Sequence, residues 1–360
     1  MAAGDNLEEL CGQIERHRPQ LVSVSDSARA SQLSAKLSSS GVTRVPEIQY
    51  GAAGIHAVAT HADAQVVVSA AVGVVGLAAT YAAVRLGKQI ALANKEVMVA
   101  AGEIVMAAAH HAGVEILPVD SEHNAVHQCL RAGKHSEVRR LVLTASGGPF
   151  RKAPLAQIAG ATPEQALAHP NWKMGQRITI DSATMMNKGF EVIEARWLFG
   201  VPLEKIQVVV HPQSTVHSMV EFVDSSVLAQ LGPTDMRMPL QYALTYPNRI
   251  EMPALHLDWE KLRRLDFEKV STRRFPCLKL AREASRRGGV LPAALNAADE
   301  VAVAAFLGRR IGFSGISETI ERVLERMPRS RPSGIEDILA ADEEARRLAH
   351  EEIGKIERAA

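Results

Sequence analysis

Val114-Glu115-Ile116-Leu117-Pro118-Val119-Asp120-Ser121-Glu122-His123-Asn124 is the stretch on which the fold turns. A short apolar strand runs straight into two carboxylates, followed by polar residues that can start a helix. In a parallel α/β sheet, ligands sit beyond the carboxyl ends of the strands. Asp120 and Glu122 are two residues apart and point to one side of an extended chain. Two convergent carboxylates at such a sheet mouth suit a hard divalent cation, Mg2+ or Mn2+. The competing interpretation makes Asp120 a helix N-cap and Glu122 a solvated first-turn side chain.

Upstream of this stretch, helical and strand patterns alternate. Residues 6–18 form an amphipathic pattern (Leu7, Leu10, Ile14), 21–24 a strand, and 28–37 a helix. The apolar run 66–72, ending at Gly73, has the pattern of a buried parallel strand. A helix over 76–86, a strand at 89–92 and a helix over 94–111 follow. This alternation predicts a Rossmann-type parallel sheet. No GxGxxG turn follows a strand, and Gly73-x-x-Gly76 alone is a weak phosphate-turn signal.

Downstream come a strand at 138–144, the turn Ser146-Gly147-Gly148, a Pro- and Ala-rich loop, and the segment His169-Pro170-Asn171-Trp172-Lys173-Met174-Gly175. Ile178-Thr179-Ile180 and one helix over 181–199 follow. Strands are expected at 208–211, 215–223 and 227–231, the last two a hairpin around Asp224-Ser225. From about residue 276 the pattern is helical. The expected fold is therefore α/β, with a nucleotide-type parallel-sheet domain at 1–119 and a central α/β domain at 120–245. A linker at 246–275 then leads into a helical domain at 276–360.

The 360 residues carry 41 Lys and Arg against 40 Asp and Glu, a net charge of +1. These signs are interspersed, which argues against nucleic acid or an anionic membrane surface as partner. No apolar run approaches a membrane span, and the first residues show no signal-peptide pattern. Cys11, Cys129 and Cys277 form no CxxC, as expected of a reduced, cytoplasmic protein.

The helix beginning at Asp181 carries most of the remaining chemistry. Met186, Phe190, Ile193 and Trp197 make a packing stripe, and Thr184, Asn187, Lys188 and Glu191 lie on the opposite face. A helix start bearing Ser182, with Asn187 and Lys188 one turn on, can hold a phosphate through N–H groups, hydroxyl, amide and ammonium. Glu191 can give the cation a third oxygen; the alternative is a solvated face with a Lys188–Glu191 pair. Gly189 costs about 1 kcal/mol in a helix relative to Ala, so something is expected to approach the backbone there. Ser146-Gly147-Gly148 can offer a hydroxyl and N–H groups to an anion. Trp172 and Met174 suit a lid over substrate or a buried anchor. Lys95 stands at a strand-to-helix junction, and a lone His211 or His217 is expected to be structural.

The segments LANKE (92–96), LPVDSEHNA (117–125), SGGPFR (146–151), HPNWKMG (169–175), DSATMMNKGFEVIEARWLFG (181–200), HPQSTVHSMV (211–220), SVLAQLGPTDMRMP (226–239) and FPCLKLA (275–281) closely resemble the 1-deoxy-D-xylulose 5-phosphate reductoisomerases, in order over nearly the whole chain. The resemblance implies conversion of 1-deoxy-D-xylulose 5-phosphate into 2-C-methyl-D-erythritol 4-phosphate, in the non-mevalonate route to isoprenoid precursors. It also implies NADPH, a divalent cation and a homodimer, with 1–119 an incomplete dinucleotide-binding domain and 120–245 the catalytic, metal- and substrate-binding and dimerisation domain. Asp120, Glu122 and Glu191 then look like the metal ligands, and Ser146, Ser182, Asn187 and Lys188, with His169 beside them, like the phosphate cradle. Ser121 and Lys95 resemble contacts to the reacting end of the sugar phosphate, and Trp172 and Met174 the closing flap. Gly4, Asn6, Asn94, Glu96 and Gly175 match cofactor positions.

Two departures from the family pattern stand out. The Gly-rich nucleotide turn and its strand find no match, so a βαβ unit of roughly 30 residues is expected to be missing and NADPH binding impaired. Asp5 stands where many relatives carry a cation able to meet the 2′-phosphate, and would repel it. The alternatives are a truncated, catalytically impaired homologue that binds phosphate and metal, and a nicotinamide dehydrogenase acting on another phosphorylated substrate.

Overall fold

The structure, a computed structural model, describes residues 1–40, 44–172, 174–253 and 255–359. The chain divides into two compact units, Met1–Asn94 with Ala107–Ile116, and Lys95–Met106 with Leu117–Ala360.

In the first unit, helix α1 (Leu7–His17) starts at Asn6, whose side chain accepts a hydrogen bond from the Glu9 amide at 3.2 Å. Leu7, Leu10 and Ile14 line one face of α1 and pack with Val22, Val24, Leu33 and Leu37. They belong to α1, to strand β1 (Leu21–Val24) and to helix α2 (Ser27–Ser39). Strand β1 pairs in parallel with β2 (Glu47–Tyr50), and Ala2 also bridges Ser23 in parallel. Helix α3 (Gly51–Thr60) follows, and β3 (Val66–Ser69) pairs in parallel with β4 (Gln89–Leu92) beyond helix α4 (Leu77–Arg85).

The run 66–72 departs from expectation. Only Val66–Ser69 is strand, and Val66 and Val68 are 36% and 46% exposed. β3 lies at a sheet margin, with β4 as its strand partner among the described residues, so its side chains are not covered on both faces. The alternation rule also misses β2 and α3, because Glu47-Ile48-Gln49-Tyr50 mixes polarity and Gly51 and Gly54 read as a loop.

Helix α5 (Lys95–Ala112) breaks helical geometry at Ala101, and its residues Lys95–Met106 belong to the second unit. Strand β5 (Ile116–Pro118) delivers Asp120 to the start of helix α6 (Ser121–Leu130). A five-stranded mixed sheet forms the centre of the second unit. Strand β6 (Val138–Ala145) runs parallel to β7 (Ile206–Val210) and antiparallel to β8 (Val216–Phe222). A turn in which Asp224 accepts from the Ser226 amide at 2.9 Å and hydroxyl at 2.6 Å leads into β9 (Val227–Leu231). The short β10 (Glu268–Lys269) closes the other edge. Leu141, Leu143 and Val220 of this sheet bury against Val126 of α6 and Val192 and Ala195 further on.

Helices α7 (Leu155–Ala159) and α8 (Pro163–Leu167) are short. The next segment corrects two expectations. Residues 178–180 are helical, and the single helix over 181–199 is two, α9 (Gln176–Thr184) and α10 (Met186–Leu198). Met185 between them takes a left-handed conformation with φ 63°, which ends one helix and restarts the next. Ser182 therefore lies in the last turn of α9, and the free amides of a helix start belong to α10. Nor is α10 amphipathic: Lys188 and Glu191 are as buried as Met186 and Phe190. A Cβ at Gly189 would lie 2.5 Å from Ala281, so the close approach at this glycine is made by a neighbouring helix.

That neighbour is α12 (Pro276–Arg287), which follows α11 (Arg237–Thr245) and the largely irregular residues 246–275. Helix α13 (Leu291–Leu307) is buried on nearly all sides, with α14 (Phe313–Arg326) and α15 (Ile335–Ala359) around it. Among the described residues no helix is long and apolar enough to cross a membrane.

Candidate active site

The second unit brings the carboxylates of the opening stretch together with α10. Asp120 occupies the N-cap position of α6 without making a side-chain cap bond. Its carboxylate pairs instead with Lys95, the first residue of α5. Lys95 is itself buried, donates to Asn187 Oδ1 at 2.9 Å and lies 3.7 Å from Glu191 Oε1. Glu122 accepts from Lys188 Nζ at 2.8 Å and from the Ser121 hydroxyl. Glu191, fully buried, accepts from Asn187 Nδ2 at 2.6 Å and from Lys188. Ligand oxygens of Asp120, Glu122 and Glu191 all lie within 4.8 Å of one another. The capped-helix and solvated-face interpretations therefore do not describe these residues.

The electrostatics of the cluster are those of a cation site. Burial pushes the Glu191 carboxyl up to about 8, and the neighbouring Glu122 adds to it. Burial opposes the charge on Asp120 as well, but Lys95 beside it prevails and holds that carboxyl well below the usual range. Burial likewise disfavours charge on Lys95 and Lys188, yet Asp120 and Glu191 raise the first ammonium group and Glu122 and Glu191 the second. Three carboxylates thus face two ammonium groups, and hard oxygen donors converge where cationic nitrogens stand. This donor set fits a divalent ion such as Mg2+ or Mn2+.

The same unit assembles a second group of polar side chains. His169 Nδ1 accepts the amide hydrogens of Trp172 at 2.9 Å and Asn171 at 3.2 Å, so its proton sits on Nε2 and is donated to Ser146 Oγ at 3.0 Å. Burial holds the His169 pKa down, which keeps the ring neutral. Ser146 Oγ also accepts from the Gly148 amide at 3.2 Å, so its own hydrogen is free to be donated to a ligand. Gly148, at φ 61°, packs against α9 so tightly that a Cβ there would stand 2.8 Å from the Ser182 carbonyl oxygen. That approach brings the Ser146 turn to Ser182. Asn187 and Lys188 are bonded to the carboxylates. Trp172 and Met174 are half-buried on a loop anchored by Asn171 Nδ2, which donates to Ser214 Oγ at 3.0 Å; Lys173 lies outside the described residues.

Residues expected on the cofactor side fall in both units. In the first, Gly4 is exposed and Asn6 caps α1. Asp5 accepts from Ser25 Oγ at 3.1 Å and lies 3.4 Å from Arg29 Nε, so a cation already faces its charge. Asn94 donates to the Gly73 carbonyl at 2.9 Å and leaves its own buried Oδ1 without a partner among the described residues. A Cβ at Gly4 would meet nothing within 4 Å. The orphaned Asn94 acceptor can take a hydrogen bond from a nucleotide. In the second unit, Glu96 accepts from Arg177 at 3.2 Å, and Gly175 stands at the N-cap of α9.

Sequence patterns missed the buried polar groups behind the cluster. Arg177 also binds Glu300 at 2.7 Å and Asn296 at 2.8 Å, tying the start of α9 to α13. His123 and Glu194 are fully buried beside the carboxylates. The available signals were adjacency to Glu122 and the three-residue step from Glu191, both too common to single out a residue.

Comparison with known proteins bears on the same elements. Residues 1–102 match the family described as 1-deoxy-D-xylulose 5-phosphate reductoisomerase, 116–199 its C-terminal domain, and 231–348 a further DXP reductoisomerase C-terminal domain. The chain is 52% identical to the 1-deoxy-D-xylulose 5-phosphate reductoisomerase of Solibacter usitatus over 353 residues, covering 98% of this chain and 89% of that protein. It is 49% identical to that of Burkholderia lata over 357 residues, covering 99% and 89%. Among solved structures, the Zymomonas mobilis enzyme in complex with NADPH superposes with a TM-score of 0.90 at 45% identity, covering 98% of this chain and 90% of that one. A DOX-P reductoisomerase in complex with NADPH, fosmidomycin and magnesium gives 0.92 at 40% identity, with the same coverage. With the carboxylates of the DSEHN and NKGFE segments clustered together and relatives of this identity along almost its whole length, the chain belongs to the 1-deoxy-D-xylulose 5-phosphate reductoisomerase family.

Proposed function

We propose that this chain converts 1-deoxy-D-xylulose 5-phosphate into 2-C-methyl-D-erythritol 4-phosphate, by isomerisation followed by reduction with NADPH, in the non-mevalonate route to isoprenoid precursors. The observation that carries this is the cluster of partly buried Asp120 and Glu122 with fully buried Glu191 in a member of this family. These three side chains would hold Mg2+ or Mn2+, which when bound supplies Lewis-acid polarisation of the substrate's carbonyl and hydroxyl oxygens. NADPH supplies the hydride.

The chain's own side chains take the remaining roles. Ser146 donates its free hydroxyl hydrogen to the substrate phosphate, with neutral His169 fixing its direction. Ser182, Asn187 and Lys188 complete the cradle; Lys188, which in this structure faces Glu122 and Glu191, brings the positive charge. Lys95 and Ser121, held against Asp120 and Glu122, orient the reacting end. Trp172 and Met174 cover the site and exclude water. Gly4, Asn6, Asn94, Glu96 and Gly175 contact NADPH. Residues 1–119 serve the dinucleotide, and 120–245 the metal and sugar phosphate, with a linker at 246–275 and a helical domain at 276–360.

The protein acts as a homodimer in the cytoplasm. The outer edge of β9 supports the dimer: Val227 and Leu228 on it, and Val223 before it, are exposed apolar residues at the margin of the sheet. Its free cysteines agree with a reducing compartment.

The test is incubation of the purified chain with 1-deoxy-D-xylulose 5-phosphate, NADPH and Mn2+, with the product followed by NMR. The rearranged, reduced tetritol phosphate is expected. NADPH oxidation giving an unrearranged polyol phosphate would overturn the assignment.

A further inference from the structure

Glu194 and His123 lie behind the carboxylate cluster, and neither is assigned a role above. Both are completely buried, one on α10 three residues beyond Glu191 and the other on α6 directly after Glu122. His123 Nε2 lies 2.8 Å from the backbone oxygen of Glu191. A carbonyl can only accept, so Nε2 carries a hydrogen and donates it. On the other side of the ring, Nδ1 faces Glu194 Oε2 at 3.3 Å. Neither Nδ1 nor either Glu194 oxygen has a hydrogen-bond partner among the described residues, so Nδ1 and Oε2 have only this facing contact to satisfy them. Phe199 stacks along the ring at a centroid distance of 6.2 Å and closes its flank.

We propose that His123 and Glu194 are positioning residues that lock α6, with Asp120 and Glu122, to α10, with Glu191, and thereby preset the spacing of the three carboxylates for a divalent cation. The imidazole bridges the two helices: one nitrogen grips the backbone of the residue that supplies the third carboxylate, and Glu194 fixes the ring from behind. Partners of this kind, one contact removed from the ligands, typically change metal affinity 10–100-fold when removed. The inference rests on the assignment of Asp120, Glu122 and Glu191 as ligands.

Asp120, His123 and Glu194 could also be taken for a cation site of their own, since their ligand atoms lie within 4.8 Å of one another. That set shares Asp120 with the first cluster, and the number of Mn2+ ions bound per chain separates the two uses.

The test is Mn2+ titration of the full chain by calorimetry, with far-UV circular dichroism as the check on folding. Glu194→Leu is expected to raise the Mn2+ Kd about 10–100-fold. Glu194→Gln keeps an amide able to meet Nδ1 and should stay within about threefold of the parent. Adding His123→Leu to Glu194→Leu should weaken binding little further, because the two act as one unit. Parent-like binding by folded Glu194→Leu would overturn the proposal, as would a Glu194→Gln loss equal to that of Glu194→Leu. Two Mn2+ per parent chain would overturn it in favour of the second cation site. Should Glu194→Leu not fold, long-range 1H–15N spectra decide: the parent must show His123 protonated at Nε2, with Glu194→Gln moving the Nδ1 resonance, and an unprotonated Nε2 refutes the bridge. No Mn2+ binding by the parent, by contrast, would refute the ligand assignment itself.

Discussion

At pH 7 the metal-free chain holds a proton on Glu191, and a divalent cation has to expel it to use that carboxylate. The cause is burial, reinforced by Glu122, which together push the group up to about 8 against an ordinary 4.5. At pH 7, below that value, most molecules carry the proton, and removing it costs roughly 1 kcal/mol of binding free energy. The apparent Mn2+ affinity should therefore climb about tenfold per pH unit between pH 6 and 7.5 and level off above pH 8. The folded chain holds this proton where an unfolded one has lost it. The group's contribution to metal-free stability is therefore fully present below pH 4.5 and lost as pH rises towards 8. Calorimetric Mn2+ titrations at pH 7 in buffers of different ionisation heat measure the proton directly: nearly one should be released per ion at pH 7 and almost none at pH 9. Glu191→Gln should abolish tight Mn2+ binding and catalysis, and it should remove the fall in metal-free stability between pH 6 and 8. Equal heats in all buffers at pH 7 would refute the reasoning. So would a Glu191→Gln chain that binds Mn2+ with the parent's affinity and pH slope.

Other consequences follow from single contacts. Removing the Asp5 carboxylate frees Arg29 for a phosphate, so Asp5→Asn should tighten NADPH binding several-fold while leaving NADH little changed; fluorescence titration with both nucleotides checks this, and equal effects on the two would contradict it. Ser146→Ala deletes the hydroxyl hydrogen aimed away from His169 and should raise the substrate KM about tenfold, the worth of one charge-assisted hydrogen bond, with Mn2+ affinity unchanged. Gly189→Ala gains about 1 kcal/mol of helix preference but drives a methyl to 2.5 Å from Ala281, so a net loss of roughly 1–3 kcal/mol is expected and a raised Tm would disprove the tight crossing. Leu228→Lys on the exposed β9 edge should break the proposed dimer and give a monomer's mass in light scattering, and an unchanged dimer mass would remove that edge from the interface.

What the sequence determined by itself is the α/β class and the positions of the chemistry. Apolar patterning marks α1, α4, α5 and the β8–β9 hairpin, and short apolar runs mark β1 and β4, which are buried along almost their whole length. The pair Asp120 and Glu122 after a short strand was visible for the same local reason, and the family resemblance rests on contiguous segments. Only tertiary structure decided the rest. Met185 breaks a continuous helical pattern, since a left-handed residue leaves no periodic signature. Lys188 and Glu191 look like a solvated face in sequence, yet α12 crosses α10 at Gly189 and Lys95 arrives from α5, so the charges are buried and satisfy one another. His123 and Glu194 are ordinary polar residues until α6 and α10 are brought side by side. Burial, which moves the Glu191 carboxyl to about 8, is a property of neighbours distant in the chain, and local sequence does not encode which neighbours those are.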